Sequence, residues 1–179
     1  MHRRELLALI GAGATASLLS PLSATERFDL GRSLHRRLAE LPRTLTSADR
    51  ALVARIADLV IPRTDTPGAI DVGVPAFVDA LMGGWYSDQE RADFQKGLAD
   101  LDRRAGGAGF VAQPEAAQIG LLESLDGKSG PKGSAEDAFA RLKQLTIYGY
   151  FTSERVQKEV LETVIIPGRF DGCIPIHRQ

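Results

Sequence analysis

The chain has 179 residues, 44% of them hydrophobic and 25% charged, with 22 basic side chains against 23 acidic ones and a single cysteine. That composition is the globular average, which excludes wholesale disorder, and its near-neutral charge leaves no electrostatic case for binding nucleic acid. One thiol, Cys173, excludes a disulfide within the chain, so the fold must stand on apolar packing.

"HRRELLALIGAGATASLL", residues 2–19, places Arg3 and Arg4 before a run from Leu6 to Ala24 that carries no charge. A basic start, an apolar middle and small residues in "PLSA" form the layout of a cleavable export signal, with cleavage expected after Ala24. Gly11, Gly13, Ser17, Ser20 and Pro21 dilute the run, whereas a spanning helix needs roughly 20 predominantly apolar residues. The arginine pair, one free position and two apolar residues resemble the twin-arginine address, which a receptor reads on folded cargo. An ordinary secretory signal with a generic basic start is the alternative. The chain thus divides into a signal at 1–24, an N-terminal arm at 25–45 and a helical domain with its tail at 46–179. Loss of the signal leaves 20 basic and 22 acidic residues on 155, the size of one domain.

The arm sets Arg27, Arg32, Arg36, Arg37 and Arg43 against Glu26, Asp29 and Glu40, with Leu34, Leu38 and Leu41 at helical spacing. It reads as a solvated linker, a short docking helix being the other reading. The first helix of the domain is "TSADRALVARIADLVI", which Thr46 and Asp49 cap, Leu52, Ile56, Leu59 and Val60 line, and Pro62 stops. "PRTDTPGAIDVGVPAF" is a proline-rich loop of functional length, and Pro75 then suits the first turn of a helix carrying Phe77, Val78, Leu81, Met82 and Trp85. Ser87 with Glu90 is a capping box for Phe94, Leu98 and Leu101, a run ended by Gly106 and Gly107. Pro114 opens a helix with Ile119, Leu122 and Leu125; "DGKSGPKGS" is a loose surface loop; Ser134 with Asp137 caps a helix bearing Phe139, Leu142, Leu145 and Tyr148; "TSE" restarts a short one. Pro167 ends the helical part and leaves "PGRFDGCIPIHRQ" as an irregular tail. No strand-period alternation appears, so the fold class is all-α: one compact domain of about six helices with long proline- and glycine-rich loops.

Chemistry-bearing clusters are sparse. His2, His35 and His177 are scattered, and Cys173 with His177 would supply at most half of a four-ligand metal site, with Pro175 between them. Asp65 and Asp71 flank the proline-rich loop, where Asp65 suits a turn that bonds its own backbone. Asp100 and Asp102 point away from each other on one helix, which suits solvated faces. No Rossmann glycine pattern, phosphate loop or haem motif occurs, so no catalytic, cofactor or metal residue is assigned. Tyr148, Tyr150 and Phe151 crowd four positions, and three such positions of a helix cannot all face one core. One ring is then exposed, meets another chain or leaves the helix; a packed corner with satisfied hydroxyls is the competing reading.

Taken together, "IPRTDTPGAIDVGVPAF", "ERADFQKGLADLD", "LKQLTIYGYFTSE" and "IPGRFDGC", in that order behind the arginine pair, resemble the gluconate 2-dehydrogenase subunit 3 family from about Ser47 to Cys173. The resemblance implies a small non-catalytic subunit of periplasmic sugar or polyol dehydrogenases. A large flavoprotein of the glucose-methanol-choline type would hold FAD and pass electrons to a cytochrome c or another acceptor. The small subunit would bind no cofactor, carry the twin-arginine signal to the translocase on behalf of the large one, and help it mature. A membrane tether with a retained N-terminal helix and a stand-alone enzyme are the alternatives. Tyr148, Tyr150, Phe151, Arg169, Phe170, Asp171 and Cys173 are the candidate partner contacts. Cys173, in a turn-rich tail beside Arg169 and Phe170, is a candidate for a disulfide between chains.

Overall fold

Residues 23–38, 40 and 42–163 are described by a computed structural model. Among them the elements are α1 (Ala24–Arg37), α2 (Ser47–Val60), α3 (Val74–Gly84), α4 (Asp88–Arg104), a 3-10 turn (Phe110–Ala112), α5 (Glu115–Leu125), α6 (Ala135–Thr152) and α7 (Glu154–Glu159), with no strand. The class is all-α, as the periodicities require, with seven α-helices among the described residues against the six expected, because the arm forms a helix of its own.

The starts of these helices are written locally. Thr46 with Asp49 and Ser87 with Glu90 form the expected capping boxes, each side chain satisfying a backbone N–H of the other residue. Ser134 caps α6 by accepting from the Asp137 N–H, while the Asp137 carboxylate turns back to the Gly133 N–H. At the other end of α2, helical geometry stops at Val60 and Ile61, before Pro62, leaves the helical region at φ −135° and ψ 83°, as the clash of a proline ring with the preceding residue requires.

The core forms around α6, which packs against all six other helices. Leu142 and Leu145 of α6, Phe94, Leu98 and Leu101 of α4, Phe77, Val78, Leu81 and Met82 of α3, and Val53 and Ile56 of α2 are buried together. Two sequence expectations change here. Trp85, expected inside, caps α3 at 37% exposure, and Ile119 of α5 faces out while Gln118 faces in. Gln118 is tolerated because both ends of its amide are used: its oxygen accepts from Arg55 Nε at 2.7 Å and its nitrogen donates to the Phe110 carbonyl at 2.8 Å.

The arm is not a solvated linker. Ser23 and Glu26 form a capping box, α1 follows, and its inner stripe of Leu30, Gly31, Leu34 and Leu38 lies on the core. Leu34 is 2% exposed, a burial that contributes about 1.5–3 kcal/mol. The five arginines that suggested solvent merely occupy the other faces of the segment. The expected cleavage point after Ala24 falls inside this capping box, between its two members.

Two carboxylates on α4 also differ from the solvated reading. Asp100 accepts the Ala135 N–H at 3.0 Å and pairs with Arg103 and Arg104, which fastens the end of α4 to the start of α6. Asp102 accepts the Phe110 N–H at 2.7 Å and so anchors the 3-10 turn. They do diverge along the helix, but each diverges toward a backbone donor.

Candidate functional site

The aromatic cluster and the proline-rich loop meet at the C-terminal end of α6. Tyr148 is 3% exposed and Tyr150 5% exposed, so both rings are buried within this one chain. Tyr148 donates its hydroxyl to the Arg27 carbonyl of α1, and Tyr150 donates to the Pro67 carbonyl of the loop at 2.8 Å. Phe151 is half-buried and meets Tyr150 edge-on at 5.2 Å between ring centroids. Two of the three rings are inside because α6 is enclosed from several sides: α1 covers Tyr148 and the loop covers Tyr150, and Phe151 alone is only half-buried. Burial pushes the Tyr148 hydroxyl up to about 12, so it stays protonated and remains a donor.

Around Tyr148 the seat of α1 is built from three contacts. Gly31 lies so close to α6 that a Cβ there would stand 2.6 Å from the methyl group of Thr152. His35 stacks on Phe77 of α3, with centroids 4.5 Å apart and planes inclined by 16°. Its Nε2 donates to the Gly149 carbonyl at 2.7 Å. That carbonyl belongs to the last turn of α6, where the Ser153 N–H bonds Tyr150 instead, so the imidazole fills the vacancy that a helix end leaves. Burial pulls the His35 titration below its ordinary value, against the smaller opposite effect of the Gly149 bond.

The loop from Ile61 to Gly73 is closed on itself. The Ala69 N–H returns to the Ile61 carbonyl at 2.9 Å, and the Gly68 N–H donates to Asp71 at 2.8 Å. Arg63 pairs with the same Asp71 at 3.3 Å. Asp71 therefore does the turn-making expected of Asp65, whose carboxylate takes the Thr64 hydroxyl at 2.9 Å. Ala69 is fully buried as the plug of the loop, and its neighbour Ile70 is held outward at 45% exposure. Ile70 joins Trp85, Val111, Ile119 and Leu161 as the exposed large apolar side chains of the described surface. Rigid loops with an outward apolar residue suit contact with another protein.

Among the described residues no group of three or more His, Cys, Asp or Glu side chains is placed to hold a metal ion. No described helix is long and apolar enough to cross a membrane. Arg3, Arg4, Arg169, Phe170, Asp171 and Cys173 lie outside the described residues. Of the two readings of the arm, the docking helix is the one found; the signal that favours it over a linker is the capping pattern of Ser23 and Glu26 in "SATE".

No curated protein and no solved structure matches the chain. A family model described as gluconate 2-dehydrogenase subunit 3 matches residues 47–168, which takes in α2 to α7 and leaves α1 outside. The chain belongs to the gluconate 2-dehydrogenase subunit 3 family.

Proposed function

We propose that the chain is the non-catalytic small subunit of a periplasmic FAD-dependent sugar, polyol or gluconate dehydrogenase of the glucose-methanol-choline type. The observation that carries this reading is the family match across the helical domain, residues 47–168. The catalytic partner holds FAD and hands electrons to a cytochrome c or another acceptor. This chain binds no cofactor; it brings the twin-arginine signal with Arg3 and Arg4, and it aids the partner's maturation.

Contact with the catalytic subunit is assigned to the outward side of the α6 end and to the tail, through Phe151, Arg169, Phe170, Asp171 and Cys173. Tyr148 and Tyr150 brace the α6 end from within and do not themselves meet the partner, since their rings and hydroxyls are already engaged within the chain. Cys173 is the candidate for a disulfide with the partner. Non-reducing electrophoresis of the assembled complex reads it: a band at the summed mass that collapses on reduction is expected. Free chains without reductant, together with normal assembly of Cys173→Ser, would remove both the bond and an essential contact there.

The export role is tested by co-expression with the flavoprotein. Replacing Arg3 and Arg4 together by lysine should strand dehydrogenase activity in the cytoplasm, and normal periplasmic activity in that variant refutes the escort role. The mass of the exported chain distinguishes a cleaved signal from a retained tether, and turnover by the purified chain alone would reveal a stand-alone enzyme.

A further inference from the structure

We infer that α1 is a reversible clasp on the α3–α6 face, closed by the neutral ring of His35 and released in acid, so that acidification uncovers Phe77, Tyr148, Gly149 and Thr152.

The geometry makes α1 separable. It lies outside the family-matched block, and its buried residues are only Gly31 and Leu34. Among the described residues its polar attachments to α6 include the His35 bond to Gly149 and the Tyr148 bond to the Arg27 carbonyl. A charged helix of 14 residues is marginal in water by itself. Undocking therefore also melts α1, and release is cooperative rather than gradual.

His35 is the titrating member of this contact. A carbonyl only accepts, so Nε2 carries the proton and the neutral ring is complete with one donor bond and its stack on Phe77. A second proton must enter the half-buried space between α1, α3 and α6. The Gly149 bond and the negative end of α6 favour that proton, while burial opposes it and is the larger effect.

No charged side chain sets the His35 value, which follows burial first and the Gly149 bond second. The charges of α1 are Glu26, Arg27, Asp29, Arg32, Arg36 and Arg37; Arg32 lies over the Phe28 ring, and Arg32 and Arg36 act on Glu154 of α7. Glu154 also pairs with Lys158, and these partners hold its carboxyl below the usual range, so it stays ionised through mild acid. From α6 the facing titratable group is Tyr148, protonated throughout, and α3 presents Phe77, its Asp79 being bonded to Thr44 and Leu45.

A group with a lowered value in the docked state binds its proton more readily when released. Docking is then complete above the free imidazole value of about 6.5 and weakens as pH falls below it, by up to about tenfold per pH unit.

The test is hydrogen exchange of the full chain at pH 7.5 and 5.5, corrected for intrinsic exchange rates, with the amides of α4 as internal reference. Protection of α1 should fall by about tenfold relative to α4 in acid. His35→Gln keeps an amide donor for Gly149 without a titrating proton, and its α1 protection should not change with pH. Equal α1 protection at both pH values in the wild type overturns the clasp, as does the same acid loss in His35→Gln, or no α1 protection at either pH. The imidazole resonance of His35 in the wild type gives a reading independent of any variant: a midpoint at or above 6.5 overturns the proposal.

Discussion

The ring of Phe77 stands 2.7 Å from the place a Cβ on Gly149 would occupy, so α3 and α6 cross at a point where only glycine fits. Replacing a helical glycine by alanine ordinarily stabilises a helix by up to about 1 kcal/mol. Here the sign reverses. Gly149→Ala should destabilise the chain by about 1–3 kcal/mol through overpacking, read from the urea midpoint. Because Phe77 also carries His35, the same variant should lose protection in α1 before it loses it in α4.

Asp79 is 1% exposed on α3, and its Oδ1 accepts the Thr44 N–H at 2.8 Å and the Leu45 N–H at 2.9 Å. It fixes the approach to α2 from a helix more than thirty residues away in sequence. Asp79→Ala leaves two backbone donors without their acceptor, one of them buried, and should cost about 3 kcal/mol in chemical unfolding. A loss below about 1 kcal/mol would show that water replaces the carboxylate.

Arg104 donates to both oxygens of Glu136, at 2.6 and 3.3 Å, and this holds the Glu136 carboxyl down to about 2 from 4.5. The unfolded chain takes up that proton first, so the stability the pair supplies is complete above about pH 4.5 and is lost as pH falls toward 2. Glu136→Gln should flatten this part of the acid unfolding curve while leaving the curve above pH 5 parallel to the wild type.

Tyr150→Phe removes the hydroxyl that holds Pro67 and keeps the ring that fills the core. Global stability should drop by about 1 kcal/mol. Proteolytic nicking between Arg63 and Gly68 should accelerate by more than the global loss explains. Equal acceleration everywhere would mean that the loop opens only with the whole domain.

The helix starts were legible because capping is local chemistry: Thr46, Ser87 and Ser134 sit within three residues of what they bind. The burial of Tyr148 and Tyr150 was not legible, since it depends on α1 and the loop arriving from residues 27 and 67. Nor was the inward turn of Gln118, whose partners Arg55 and Phe110 come from different elements. The docking of α1 was only the second reading of the arm, for a different reason. Its capping serine falls on the signal side of the expected cleavage point, and its few apolar residues resemble a linker until Gly31 is seen against Thr152.

The helix that every other described helix touches, α6, lies at Ala135–Thr152, near the finish of the chain. During synthesis at about 5–20 residues per second, the earlier helices can pack only on one another until it emerges, as α2 does on α3 and α4, and α1 waits roughly 6–23 s. A ribosome that stops before Ala135 therefore releases helical segments that lack the one helix all of them touch, a substrate for proteases and not a smaller version of the domain.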